Sequence, residues 1–243
     1  MRVLLKIAYL GTAYHGWQVQ PNGITVPEKL QDAVESVYKE RLGITGCSRT
    51  DAGVHAREFY CHFDTKIFIP EKGIAAALNS KLPKDIAALE CRYVDDDFHA
   101  RYNAKGKNYV YHILSREISS PFDFDRAWHI SRELNLDKMN ACLSKLIGTH
   151  DFVSFSSSGR TVEDTVRTIT ECKAYKDGDY IEISVTANGF LYNMVRIIVG
   201  TAVEASDGRI SPCDIDTILS SDNRDLAGIT APPHGLYLNK VFY

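Results

Sequence analysis

Residues Cys47 to Arg57 read CSRTDAGVHAR. One carboxylate, Asp51, stands between a guanidinium two residues back, Arg49, and a glycine two residues on, Gly53. Thr-Asp-Ala-Gly is turn chemistry, because aspartate bonds its own backbone and glycine reaches positive φ without steric cost. A helix-like segment precedes the stretch, and the apolar run Phe59 to Phe63 after it reads as a strand. Asp51 is therefore expected on a connection between elements, where reactive side chains are commonly displayed. Local pattern alone favours a purely structural turn.

Upstream, Met1 to Leu10 is apolar but interrupted by Lys6 and followed by a polar Gly-Thr-Ala-Tyr-His-Gly stretch, which suits a first strand better than a signal peptide. Gly11 to Gly23 is a loop carrying Tyr14, His15, Trp17 and Gln18. Thr25 and Glu28 have capping-box spacing, and the helix they open places Leu30, Ala33, Val34, Val37 and Tyr38 on one stripe. Downstream come a short helix at Gly73 to Ser80, a strand at Ile86 to Val94 and an acidic turn at Asp95 to Asp97. An alternating strand follows from Lys107 to Ser115, with Lys107, Tyr109, Tyr111 and Ile113 on one face.

Past Pro121 the chain begins again. A helix is predicted over Leu136 to Ile147, then a serine-rich loop at Ser154 to Gly159 and two strands, Val166 to Tyr175 and Tyr180 to Ala187, with Asp177-Gly178 as the hairpin signal. An apolar helix follows from about Phe190 to Ala205, stopped by Gly208; Ser211-Pro212 opens another, and Leu236 to Tyr243 closes as a strand. This order is α+β, in two halves of similar content, 1–120 and 121–243.

The 243 residues are 44% hydrophobic and 24% charged, enough for a large core. No segment approaches the roughly 18 unbroken apolar residues of a membrane span. The six cysteines (47, 61, 91, 142, 172, 213) form no C-x-x-C pair, which fits reduced thiols in a cytosolic protein and no metal site. Formal net charge is −3, yet His99 to His112 carries Arg101, Lys105, Lys107 and three tyrosines with no acid. Cations that neutralise phosphates, interleaved with rings that stack on bases, suit an RNA surface; a solvated strand edge bearing lysines is the alternative.

Arg49 to Ala56, RTDAGVHA, resembles the signature of the TruA-type tRNA pseudouridine synthases. Further blocks resemble that family in its order: Tyr14 to Gln18, Phe98 to Arg101, Lys107 to Tyr111, Gly148 to Phe152, Val166 to Ile169, Gly189 to Arg196 and Ala231 to Leu238. The resemblance implies a core of two similar α/β halves with sheets joined side by side around a central cleft. It implies Asp51 as the catalytic carboxylate, Arg196 as its supporting cation, Tyr109 as the ring that meets the target base, and Arg49 as an RNA contact. It further implies a cofactor-independent, cytoplasmic homodimer acting on tRNA, at uridines 38 to 40 of the anticodon stem-loop. The sequence carries no P-loop and no dinucleotide fingerprint. Four positions depart from the pattern: Ser48 replaces a glycine, Glu58-Phe59 replaces Gly-Gln, and Pro27 stands where glutamine is common.

Other readings compete with this one. Ser48, Asp51 and His55 are the residue types of a hydrolase, and Cys47 with His55 those of a thiol nucleophile and base, but no nucleophile-elbow or cysteine-protease motif accompanies them. A metal held by Asp51 and His55 is weakened by the intervening Gly53. A non-catalytic RNA-binding or chaperone-like paralogue is opposed by the presence of Asp51, Tyr109 and Arg196 together.

Overall fold

A computed structural model describes residues 1–21, 23–159 and 162–243, so residue 22 of the expected Gly11 to Gly23 loop lies outside the described residues. The chain forms two compact units, Met1–Lys105 with Tyr237–Tyr243, and Gly106–Leu236.

The first unit contains strands β1 (Arg2–Tyr9), β2 (Thr45–Gly46), β3 (His55–Asp64) and β4 (Ile86–Val94), and helices α1 (Val26–Tyr38) and α2 (Glu71–Asn79). The chain's last strand, β10 (Leu236–Phe242), joins them. The strands lie in the order β4-β1-β3-β10, with β1 antiparallel to both neighbours. β10 runs parallel to the start of β3, pairing Tyr237 with His55 and Leu238 with Ala56, while β2 pairs the far end at Cys61 and His62. The capping box closes as predicted: the Thr25 backbone N–H donates to Glu28 Oε2 at 2.7 Å. α1 buries Leu30, Ala33, Val34 and Tyr38, whose ring meets Phe63 edge-on at 5.3 Å; Val37 is half-buried. β3 begins four residues before the apolar run that announced it, because His55 to Glu58 pair as strand while Arg57 faces solvent.

The second unit contains β5 (Gly106–Ser115), β6 (Trp128–Ile130), β7 (Gly148–Asp151), β8 (Val166–Asp177) and β9 (Tyr180–Ala187), with α3 (Leu136–Ser144), α4 (Met194–Ser206) and α5 (Pro212–Ser220). Its sheet runs β5-β9-β8-β7 with antiparallel pairing, and β6 adds parallel to β5. The hairpin is present, but Asp177 pairs with Tyr180, so Gly178 and Asp179 form the two-residue loop. The serine-rich loop opens as a 3-10 turn, Val153–Phe155. α4 starts four residues later than its apolar run suggests, since Asn193 holds a left-handed φ of 61°. The short strands β2, β6 and β7 are too brief to show alternation.

Each unit protects a strand edge with an asparagine. Asn79 at the end of α2 accepts from the N–H of Ala88 and donates to its carbonyl, both at 2.8 Å, along the outer side of edge strand β4. On α3, Asn140 does the same to Ala174 of β8, at 2.8 and 3.0 Å, beyond the last residue that β7 pairs. Among the described residues no helix is long and apolar enough to cross a membrane. The fold class is α+β, as the element order implies.

His62 on β3 is only 5% exposed, and its Nδ1 accepts from the N–H of Ala100 at 3.2 Å. Burial, with Arg2 and His99 nearby, lowers its pKa from 6.5 to about 4, against a small opposing effect of Asp64. The unfolded chain binds this proton near pH 6.5 and the folded chain only near pH 4. Stability is therefore intact above pH 6.5, falls as pH drops towards 4, and flattens below, a loss of order 3 kcal/mol. Denaturant titrations from pH 7 to 4 should show this slope in the wild type and a shallower one in His62→Gln.

Candidate active site

Asp51 lies in a tight turn. The N–H of Val54 donates to the Asp51 carbonyl at 3.2 Å, and Gly53, third in the turn, has φ of 78°, the positive value a type II turn requires there. The Gly11 to Gln18 segment grips this turn through the backbone: Trp17 N–H donates to Thr50 O at 3.0 Å and Gly53 N–H to Tyr14 O at 3.2 Å. Gly16 makes the grip possible, because a Cβ at its φ of 82° would stand 2.3 Å from Thr50 O. Side chains brace the same region. Tyr9 and Thr50 share a hydroxyl hydrogen bond of 2.8 Å, and the Trp17 ring stacks on Phe59 at 4.0 Å. Asp51 is half-buried, Thr50 is buried and Arg49 is exposed.

His55 is fully buried; its Nδ1 accepts from Gly11 N–H at 2.9 Å and its ring lies 4.5 Å from that of Tyr237. Cys47 is fully buried, its sulfur accepting from Tyr60 N–H at 3.4 Å. Neither serves a hydrolase or thiol mechanism from such positions. Burial likewise pushes the Cys61 thiol well up and that of Cys91 up to about 12. Among the described residues no group of three or more His, Cys, Asp or Glu is arranged to hold a metal ion.

In the second unit, Tyr109 on β5 is 6% exposed, opposite Val185, with its ring edge-on to Phe190 at 5.0 Å. Arg196 lies in the first turn of α4 and is held from two sides. Its Nε donates to Ala231 O at 2.6 Å, and its Nη1 to Asn193 Oδ1 at 2.8 Å. The reciprocal bond, Ala231 N–H to Arg196 O at 3.1 Å, ties the Ala231-Pro232-Pro233 segment to the helix. Tyr111 Oη donates to Pro232 O at 2.7 Å and anchors the same segment to β5.

A family model described as tRNA pseudouridine synthase matches residues 6–103 and 142–243. The chain belongs to the tRNA pseudouridine synthase family. It is 48% identical over 241 residues to tRNA pseudouridine synthase A of Thermoanaerobacter sp. (strain X514), covering 99% of each chain. It is 45% identical over 241 residues to tRNA pseudouridine synthase A 2 of Clostridium perfringens (strain 13 / Type A), again covering 99% of each. Against tRNA pseudouridine synthase A of Bacillus licheniformis the identity is 41% over 245 residues, 100% of this chain and 99% of the relative. Membership makes the chain an enzyme of the uridine-isomerising class.

Asp51, Arg49 and Arg196 fall within the stretches matched to the family; Tyr109 falls between them, inside the full-length likeness to the relatives. Two of the departures have partners within the first unit. Glu58 pairs with Lys6 at 2.7 Å, which raises the lysine above its ordinary value, and Phe59 is the fully buried partner of Trp17. Ser48 is half-buried beside the Asp51 turn. Sequence reasoning assigned nothing to Asn193 or to the Tyr14–Trp17 backbone grip. The glycine in Tyr-His-Gly-Trp-Gln was the available signal for the grip.

Gly16→Ala is expected to cost about 1–3 kcal/mol of stability, the usual range for overpacking, and to lower turnover by shifting the Asp51 turn. Gly178→Ala is the control: φ there is 58° but nothing lies within 4 Å of the added methyl, so it should be mildly destabilised with wild-type turnover. Equal turnover in the two variants would separate the grip from activity.

Proposed function

We propose that this enzyme converts uridine to pseudouridine at positions 38 to 40 of the tRNA anticodon stem-loop, with Asp51 as the essential nucleophile or base and no cofactor. The observation that carries the reading is the gripped turn at Asp51, within the RTDAGVHA string. In the reaction the bond from N1 to the ribose breaks, C5 of the same uracil bonds to that ribose carbon, and the C5 proton leaves as N1 gains one. Nothing is added or removed overall, so the chemistry needs a carboxylate and positioning only. A carboxylate covered by RNA loses hydration and its pKa rises; a fixed cation opposes this, the role we assign to Arg196.

The target base must leave its stack, at a cost of a few kcal/mol, and stacking on an aromatic ring returns about 1–3 kcal/mol. We assign that ring to Tyr109, whose edge-on contact with Phe190 fixes its orientation. Arg49, exposed two residues before Asp51, contacts the RNA beside the extruded nucleotide. The enzyme acts in the cytoplasm as a homodimer that grips tRNA across both subunits; a monomer mass by light scattering at working concentration would refute the dimer.

The test is tRNA labelled with tritium at uracil C5. Tritium enters water only if C5 becomes the bonded carbon. Release from the anticodon arm is expected with wild type and none with Asp51→Asn; tRNA bound without release by wild type would instead favour a non-catalytic paralogue or a different RNA substrate. Tyr109→Leu should be slower than Tyr109→Phe, and full turnover in both would remove Tyr109 from the mechanism.

A further inference from the structure

Arg196 does not hold its own position. The guanidinium is oriented at Nη1 by the Asn193 side-chain oxygen, 2.8 Å away, and Asn193 is itself held by Ser157. Its backbone is left-handed, φ 61° and ψ 5°, at the N-cap of α4, a conformation in which an asparagine is tolerated and most residues are strained. Its Nδ2 donates to Ser157 Oγ at 3.0 Å. Ser157 in turn donates its backbone N–H to Tyr192 O at 3.2 Å, so one serine clasps two consecutive residues of the turn that launches the helix. The Asn193 side chain does not cap α4, although capping is the usual task of an asparagine at this place. The amide is spent sideways, between a serine and an arginine.

We infer that Asn193 and Ser157 are positioning residues for the isomerisation: a two-residue latch that sets the direction of the Arg196 guanidinium. The inference rests on the role assigned above to Arg196. An arginine on a free stem samples many rotamers, and an ion pair made by it is weakened by the entropy of ordering them. With Nε fixed on Ala231 and Nη1 on Asn193, the plane of the guanidinium is defined before substrate arrives. Misplacement of a charged group by about 1 Å costs as much as a hundredfold in rate. The latch therefore acts on turnover and leaves tRNA affinity alone.

Asn193→Gly keeps a residue at ease at positive φ and removes the amide, so its thermal midpoint should stay close to wild type. Its kcat for tritium release is expected to fall about tenfold with KM for tRNA unchanged. Asn193→Asp retains the acceptor for Arg196 and can accept from the Ser157 hydroxyl, so it should recover to within about threefold of wild type. Ser157→Ala, which leaves the backbone clasp in place, should fall between. Wild-type kcat in Asn193→Gly, or equal losses in the Gly and Asp variants, would overturn the latch. Arg196→Gln separates the latch from the reading beneath it. Full kcat in that variant would remove the role of Arg196 itself, whereas loss there beside wild-type kcat in Asn193→Gly would refute the latch alone.

Discussion

The Asp51 turn is tied to the sheet by two backbone hydrogen bonds with a loop more than thirty residues earlier, Trp17 N–H to Thr50 O and Gly53 N–H to Tyr14 O. Backbone bonds of this kind are indifferent to side-chain rotamers, so they fix position more tightly than packing does. They also demand close approach, which is why Gly16 stands where the two chains nearly touch. Around them the aromatic cluster of Tyr9, Trp17 and Phe59 excludes water, and a hydrogen bond shielded from water is worth more than the same bond at the surface. The loop that carries Asp51 is thus tied down by backbone hydrogen bonds in the way a strand is.

The second unit solves the same problem differently. Arg196 sits on a helix, already a rigid element, but its long side chain must be disciplined locally. The carbonyl of Ala231 and the amide of Asn193 do this, and both are neutral. Between them these two acceptors fix the plane of the guanidinium at the start of α4.

Much of this was legible in the letters. The capping box at Thr25, the D-A-G turn at Asp51, the strand at Ile86 to Val94 and the Ser211-Pro212 helix start each follow from a local rule, and each is present. What was hidden is what tertiary partners decide. β3 begins at His55 because its polar residues find partners, Glu58 on Lys6 and His55 on Gly11 and Tyr237, and no periodicity announces that. The late start of α4 is concealed because Phe190 and Leu191 are apolar enough to pass for helix, while Asn193 turns the chain. The glutamate and phenylalanine at 58 and 59, two of the departures from the family pattern, are strand residues of the first unit.

The paired edge clasps, Asn79 on Ala88 and Asn140 on Ala174, carry a consequence for how the molecule fails. An asparagine amide mimics a neighbouring strand, with one donor and one acceptor at ladder spacing, so each helix is the lock on a strand that would otherwise recruit another chain. Because the lock is uncharged, neither salt nor mild acid opens it. Only detachment of the helix does, so the docking of α2 and α3 is what keeps these two stretches of strand edge covered.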